Sequence, residues 1–171
     1  TGDVAPSAEN SCTITIQDHD HPLAAILGEY TASGVSGFNG PVQWTMELRK
    51  DAEDVSVVWF FNIANMGGNA IEKTMFYGVV NEDKTEITIN VPQECAAINS
   101  STGKPAMTLV ATFIEGSSLY FTTSSVALKV AVKDGGKVLD FGSEYGFGPA
   151  ADVSAGSFYE ILVPGVKAVK K

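Results

Sequence analysis

The two histidines of this chain lie together, each beside an aspartate, in Asp18-His19-Asp20-His21. Imidazole nitrogen and carboxylate oxygen are good ligands for first-row metals. The spacing does not assemble a site. In an extended segment alternate residues point to opposite sides, so His19 and His21 share one side and Asp18 and Asp20 the other. Zinc takes four ligands, and no distant residue is marked to supply the rest. Capping accounts better for the position. Asp20 or His21 stands just before Pro22, and Pro22-Leu23-Ala24-Ala25-Ile26-Leu27 ends at Gly28. This pattern predicts a short helix over Pro22 to Leu27. No metal and no cofactor are expected.

Carboxylates offer a second chemistry. Two of Glu47, Glu72, Glu115 and Glu160, brought face to face, would make the acid and base of a glycoside hydrolase. Most carboxylates simply face water. The motifs that would favour an enzyme are missing: there is no Gly-x-Ser-x-Gly, no phosphate-binding glycine loop and no His-Glu-x-x-His. The stretch "GFGPAA" from Gly146 reads as a loop, not a dinucleotide fingerprint. A non-catalytic protein is expected.

Aromatic side chains are the third. Trp44, Trp59, Phe76, Tyr77, Tyr120 and Tyr159 are the candidate ligand-contacting residues. Adjacent residues of a strand point to opposite faces, so one of each aromatic pair can leave the core. Such a ring can stack on a sugar or line an apolar cavity. Plain core packing is the competing reading, above all for Trp44 and Trp59, which alternate with Met46, Leu48 and Val57.

The elements that carry these residues have a period of two. Val42, Trp44, Met46 and Leu48 alternate with polar neighbours. Ile87, Ile89 and Val91 repeat the pattern, as do Val126, Leu128, Val130 and Val132. "VSVVWFFNI" and "MTLVATFI" are apolar on both faces and should be covered on both sides or line an interior. Short polar or glycine-bearing breaks at 81–84, 115–118 and 133–137 mark hairpins. Roughly ten strands joined mainly by short connections predict an all-β, antiparallel meander. A calycin- or lipocalin-like barrel fits best, with a two-layer sandwich as the alternative. The 98–106 and 142–157 stretches read as loops. Residues 1–21 form an N-terminal strand and linker, and 22–171 a single domain.

Composition narrows the partners. The formal net charge is −9, which repels the phosphate backbone, so nucleic-acid binding is not expected. Hydrophobic residues make up 44% of the 171, enough for a true core. No apolar run approaches the ~20 residues of a membrane helix. No signal peptide is visible, and "TGDVAPSAENS" reads as a mature or truncated start. Cys12 and Cys95 allow one disulfide, and both the bonded and the free states stay open. The polar lead-in Glu9-Asn10-Ser11 is unlike that of a lipid-modified cysteine. A monomer is expected.

Two resemblances add to this. "CTITIQDHDHP" resembles the closing strand and exit of a Calx-beta domain, which implies a remnant of a preceding domain more than a calcium site. From Gly28 onward the chain resembles Bacteroides-type surface-protein domains described as calycin-like β-barrels. The likeness rests on Gly28, Tyr30, Thr31 and Ala32, then "WTMEL", "VWF" and "FYGVV" leading to "TEITI". It implies an exported protein, secreted or lipid-anchored, at the outer-membrane surface. With it comes a non-catalytic accessory role, binding a glycan or small apolar ligand or making structural contacts.

Overall fold

A computed structural model describes residues 21–171. The Asp18-His19-Asp20 positions, Cys12 and the Calx-beta-like strand lie outside the described residues. Among the described residues the strands are β1 (Gly28–Ser36), β2 (Gly40–Lys50), β3 (Val57–Phe61), β4 (Phe76–Val80), β5 (Glu86–Val91), β6 (Gln93–Glu94) and β7 (Thr108–Glu115). They continue as β8 (Ser118–Thr122), β9 (Val126–Lys133), β10 (Val138–Asp140), β11 (Gly146–Asp152), β12 (Ser157–Phe158) and β13 (Lys167–Lys170).

Eight of these close an antiparallel barrel in the order β1-β2-β3-β4-β5-β9-β10-β13 and back to β1. The first five are the expected meander. The chain then leaves the wall twice, between β5 and β9 and between β10 and β13. The two excursions pair with each other. β11, β7 and β6 lie side by side, with β12 beyond β11 and β8 on β7. Because the strands alternate in direction, both excursions leave from one end of the barrel. The second sheet therefore covers that end.

The alternation read from sequence sets the inside. Trp44, Met46, Leu48, Val58, Phe60, Phe76, Ile87, Ile89, Leu128 and Val130 are all buried in one core. Phe141 and Phe147 join the barrel to the second sheet, their rings 4.9 Å apart, with Phe60 6.2 Å from Phe141. The interior is tightly filled at this level. A methyl group added at Gly78 would come within 2.6 Å of Ile87 Cγ2 and 3.2 Å of Phe60. Burial of this many apolar side chains is the main stabilising term of the fold.

The opposite end is closed by residues 21–27, and here the expected helix is not formed. Pro22 to Ile26 make successive turns, with Ala24 N–H on His21 O and Ile26 N–H on Leu23 O. His21 Nδ1 accepts the Leu23 N–H at 3.1 Å, as a cap would. The segment is too short to propagate a helix. Its apolar residues Leu23 and Ile26 instead turn inward and are buried. Tyr30 holds this plug in place: its hydroxyl lies 2.7 Å from the carbonyl oxygens of both Ile26 and Gly136.

A second departure concerns 142–157, expected to be loop. It contains β11, and residues 146–150 are buried. Gly146 and Gly148 explain why no side-chain pattern announces it. They face a returning segment, 159–163, that lies hard against the strand. A Cβ at Gly146 would overlap the Leu162 carbonyl oxygen, and one at Gly148 would sit 2.8 Å from Glu160 O. Glycine within a strand marks such close backbone approach.

Candidate functional site

The six aromatic candidates do not converge. Trp44 is 6% exposed, faces the core and donates its indole N–H to Asn62 O at 2.9 Å. Phe76 is fully buried. Both belong to the barrel interior and are out of a ligand's reach. Tyr120 and Tyr159 lie in the second sheet and at its joint. Tyr120 stacks on Phe113 at 5.8 Å, and the Tyr159 N–H donates to Pro149 O.

Trp59 and Tyr77 do come together. Val58 and Phe60 point inward, so Trp59 and Phe61 must point outward. Trp59 is opposite Tyr77 in the β3–β4 register and opposite Arg49 in the β2–β3 register. The two rings meet edge to face, 5.5 Å apart. Trp59 is half-buried, whereas Tyr77 is 39% exposed.

Polar groups rim this face. The Trp59 indole donates to Asp51 Oδ2 at 2.7 Å. That bond, with backbone N–H groups from Asp54 and Glu53, holds the Asp51 carboxyl below its ordinary range. Arg49 lies over the Phe61 ring, 4.4 Å from its centre. Its guanidinium meets Glu47 Oε2 at 2.7 Å and Glu72 Oε1 at 2.5 Å. These carboxylates keep the Arg49 proton more firmly bound than usual. Glu47 and Glu72 thus share one cation.

Beside Tyr77 an open groove of about 650 Å³ runs between the barrel wall and the second sheet. Tyr77, Pro92, Val110 and Val153 line it together with Gln93, Glu94, Thr108 and Thr123. Gln93 fixes the corner. Its side chain accepts the Tyr77 N–H at 2.6 Å and donates to Tyr77 O at 3.1 Å. Sequence reasoning did not single out Gln93. Its one signal is a polar residue at a position where the strand pattern would bury it.

The other two carboxylate candidates stand apart from Arg49. Glu115 is exposed at the end of β7. Glu160 is 3% exposed, and its Oε1 accepts the Ser36 hydroxyl at 2.7 Å and the Ile161 N–H at 2.8 Å. Ser36 Oγ in turn accepts the N–H groups of Phe38 and Asn39. The chain here ties the end of β1 to the joint between the sheets, through Val163 N–H on Val35 O and Gly37 N–H on Ile161 O. Glu160 is accounted for by that joint. Among the described residues no group of histidine, cysteine and carboxylate side chains is placed to hold a metal ion. Cys95 is a free, buried thiol.

The fold and this face define the class: an all-β protein with a closed eight-stranded antiparallel barrel of calycin-like form, capped by a second sheet. Comparison with protein-family models, curated proteins and solved structures finds no match for the chain.

Proposed function

We propose that this chain is a non-catalytic accessory domain of an exported cell-surface protein, and that it binds a glycan on its Trp59–Tyr77 face. The observation that carries the reading is the exposed Tyr77 ring, braced by Trp59 at the lip of an open groove. A pyranose ring presents axial C–H groups on one face and hydroxyls around its edge. The C–H face suits an electron-rich ring. The hydroxyls suit the Glu94 carboxylate, which is exposed in the groove. Few polar groups converging in a concave site are the general form of small-ligand recognition. The packed interior favours this outer face over an apolar ligand held inside the barrel. The surface location rests on the resemblance to Bacteroides-type surface domains.

A glycan array followed by titration calorimetry tests the reading. We expect binding of at least one glycan, weakened at least about tenfold by Tyr77→Ala, equivalent to ~1.4 kcal/mol, and left intact by Tyr120→Ala. An array without a hit, or a hit indifferent to Tyr77, refutes it. Turnover of a chromogenic glycoside, abolished by Glu47→Gln or Glu72→Gln, refutes the non-catalytic part.

A further inference from the structure

The second sheet ends on one side in β8, and β8 has no neighbour beyond β7 among the described residues. Its turn at 116–117 closes on the Glu115–Ser118 pair, and the register continues Phe113 with Tyr120 and Ala111 with Thr122. In an antiparallel pair, hydrogen-bonded and non-hydrogen-bonded positions alternate. The turn closes through a hydrogen-bonded pair. Ser118, Tyr120 and Thr122 therefore spend their backbone groups on β7. Leu119 and Phe121 direct their N–H and C=O groups outward, along the open edge.

Open edges are usually guarded by lysine, proline, a bulge or a covering loop. The sequence of β8 is Ser-Leu-Tyr-Phe-Thr. It has no charge, no proline and no glycine. Tyr120 is 46% exposed, and Ile114, beside Leu119 on the other face, is 51% exposed.

We infer that β8 is a pairing edge for a second copy of this chain, with the strands antiparallel about a two-fold axis at Tyr120. The register follows from which groups are free. An axis at Tyr120 sets Leu119 opposite Phe121 of the other copy. Those are the two residues with outward backbone groups, so four inter-strand hydrogen bonds form. Tyr120 meets its own equivalent at a non-hydrogen-bonded position, where side chains approach most closely. Such an interface is self-complementary, as a two-fold requires. The chain carries a net charge of −9, yet β8 brings no acidic residue to the axis; the nearest in sequence, Glu115, lies across the hairpin on β7. The two second sheets become one ten-stranded sheet. A five-residue edge buries less than the ~1,200 Å² of a standard interface, so the dimer forms and dissociates with concentration. The monomer expected from sequence is the dilute form.

Sedimentation velocity over a concentration series tests this on the full chain. We expect reversible dimerisation, with Tyr120→Lys raising the dissociation constant at least about tenfold, because like charges then oppose each other directly. Unchanged circular dichroism and melting temperature would show that the Tyr120→Lys fold is intact. A second variant, Tyr120→Cys in a Cys12→Ser background, should form a covalent dimer on mild oxidation. A chain that stays monomeric at every concentration overturns the proposal. So does a dimer indifferent to Tyr120→Lys, or one abolished by removal of residues 1–20.

Discussion

Replacing Tyr30 by phenylalanine removes one oxygen from a residue with no solvent exposure. The hydroxyl has a single proton and two acceptors, Ile26 O and Gly136 O, each at 2.7 Å. Among the described residues, neither carbonyl accepts a further turn or loop backbone N–H. Tyr30→Phe therefore leaves two inward-facing carbonyls without their donor. An unmet buried polar group costs ~1–3 kcal/mol. Because one proton was shared, the middle of that range, about 2 kcal/mol, is the expected loss. For a chain of this size the melting temperature should fall by about 4–8 °C, at ~2–4 °C per kcal/mol. Equilibrium unfolding in urea should show a lower midpoint at constant slope.

Alkaline pH supplies an independent check. Burial pushes the ionisation of Tyr30 well above the ordinary tyrosine range. The folded state thus holds this proton more tightly than the unfolded chain. The stability linked to it is fully present below the unfolded value, near ~10, and is lost as pH rises beyond it. The wild type should lose stability above about pH 10 more steeply than Tyr30→Phe. A variant that melts within about 1 °C of wild type and keeps the same alkaline slope would refute the account of Tyr30 as the latch of the 21–27 plug.

Two further outcomes follow from other parts of the fold. Gly146→Ala should destabilise by about 3 kcal/mol, at the upper end of overpacking costs, since its Cβ meets the fixed Leu162 carbonyl as well as the Thr112 hydroxyl; Gly68→Ala, with open space around it, should stay within ~0.5 kcal/mol of wild type by thermal melting. Asp51 is held below the usual carboxylate range by the Trp59 indole, so its contribution is present above the unfolded value, near ~3.9, and disappears as pH falls through the lower folded value. Tryptophan emission should change over that acid window in wild type and not in Asp51→Ala; identical titrations would separate Trp59 from Asp51.

What was legible in the sequence was whatever side chains repeat at period two. β2, β5 and β9 show it plainly: of the residues named from their alternation, Trp44, Met46, Leu48, Ile87, Ile89, Val91, Leu128 and Val130 are buried, and Val42, Val126 and Val132 are partly buried against them. β11 was invisible for a physical reason. Its decisive residues, Gly146 and Gly148, act by having no side chain. The Pro22–Leu27 stretch misled in the opposite way. Leu23 and Ile26 stand three apart, as helical neighbours do, but that spacing equally serves a pair of turns that drops both into the barrel end. The candidate site was half legible. Trp59 and Tyr77 were named, yet so were Trp44 and Phe76, because an aromatic run shows that some rings point out and not which. Register decides that, through Val58 and Phe60. Glu160 was named only as one of four acids, and neither its burial nor that of Gln93 was within reach. Each is buried by a partner distant in sequence, Ser36 at 124 residues and Tyr77 at 16.

The two excursions from the barrel wall matter for more than topology. A plain meander with a packed interior and Tyr30 latching one end would have only a convex outer wall, which offers a ligand little to enclose it. Sending 92–125 and 141–166 out of the wall makes an angle between two sheets. The groove lies in that angle, so Tyr77 gains a concave neighbour that no single barrel strand provides. The same excursions create an edge, because a sheet that does not close must end somewhere. Groove and edge are thus two consequences of one departure from the closed barrel. They sit on different strands of the second sheet, β6 and β8, each held to β7 alone. Both lie on the edge of β7 opposite β11, so the groove and the pairing edge are neighbours along one side of the second sheet.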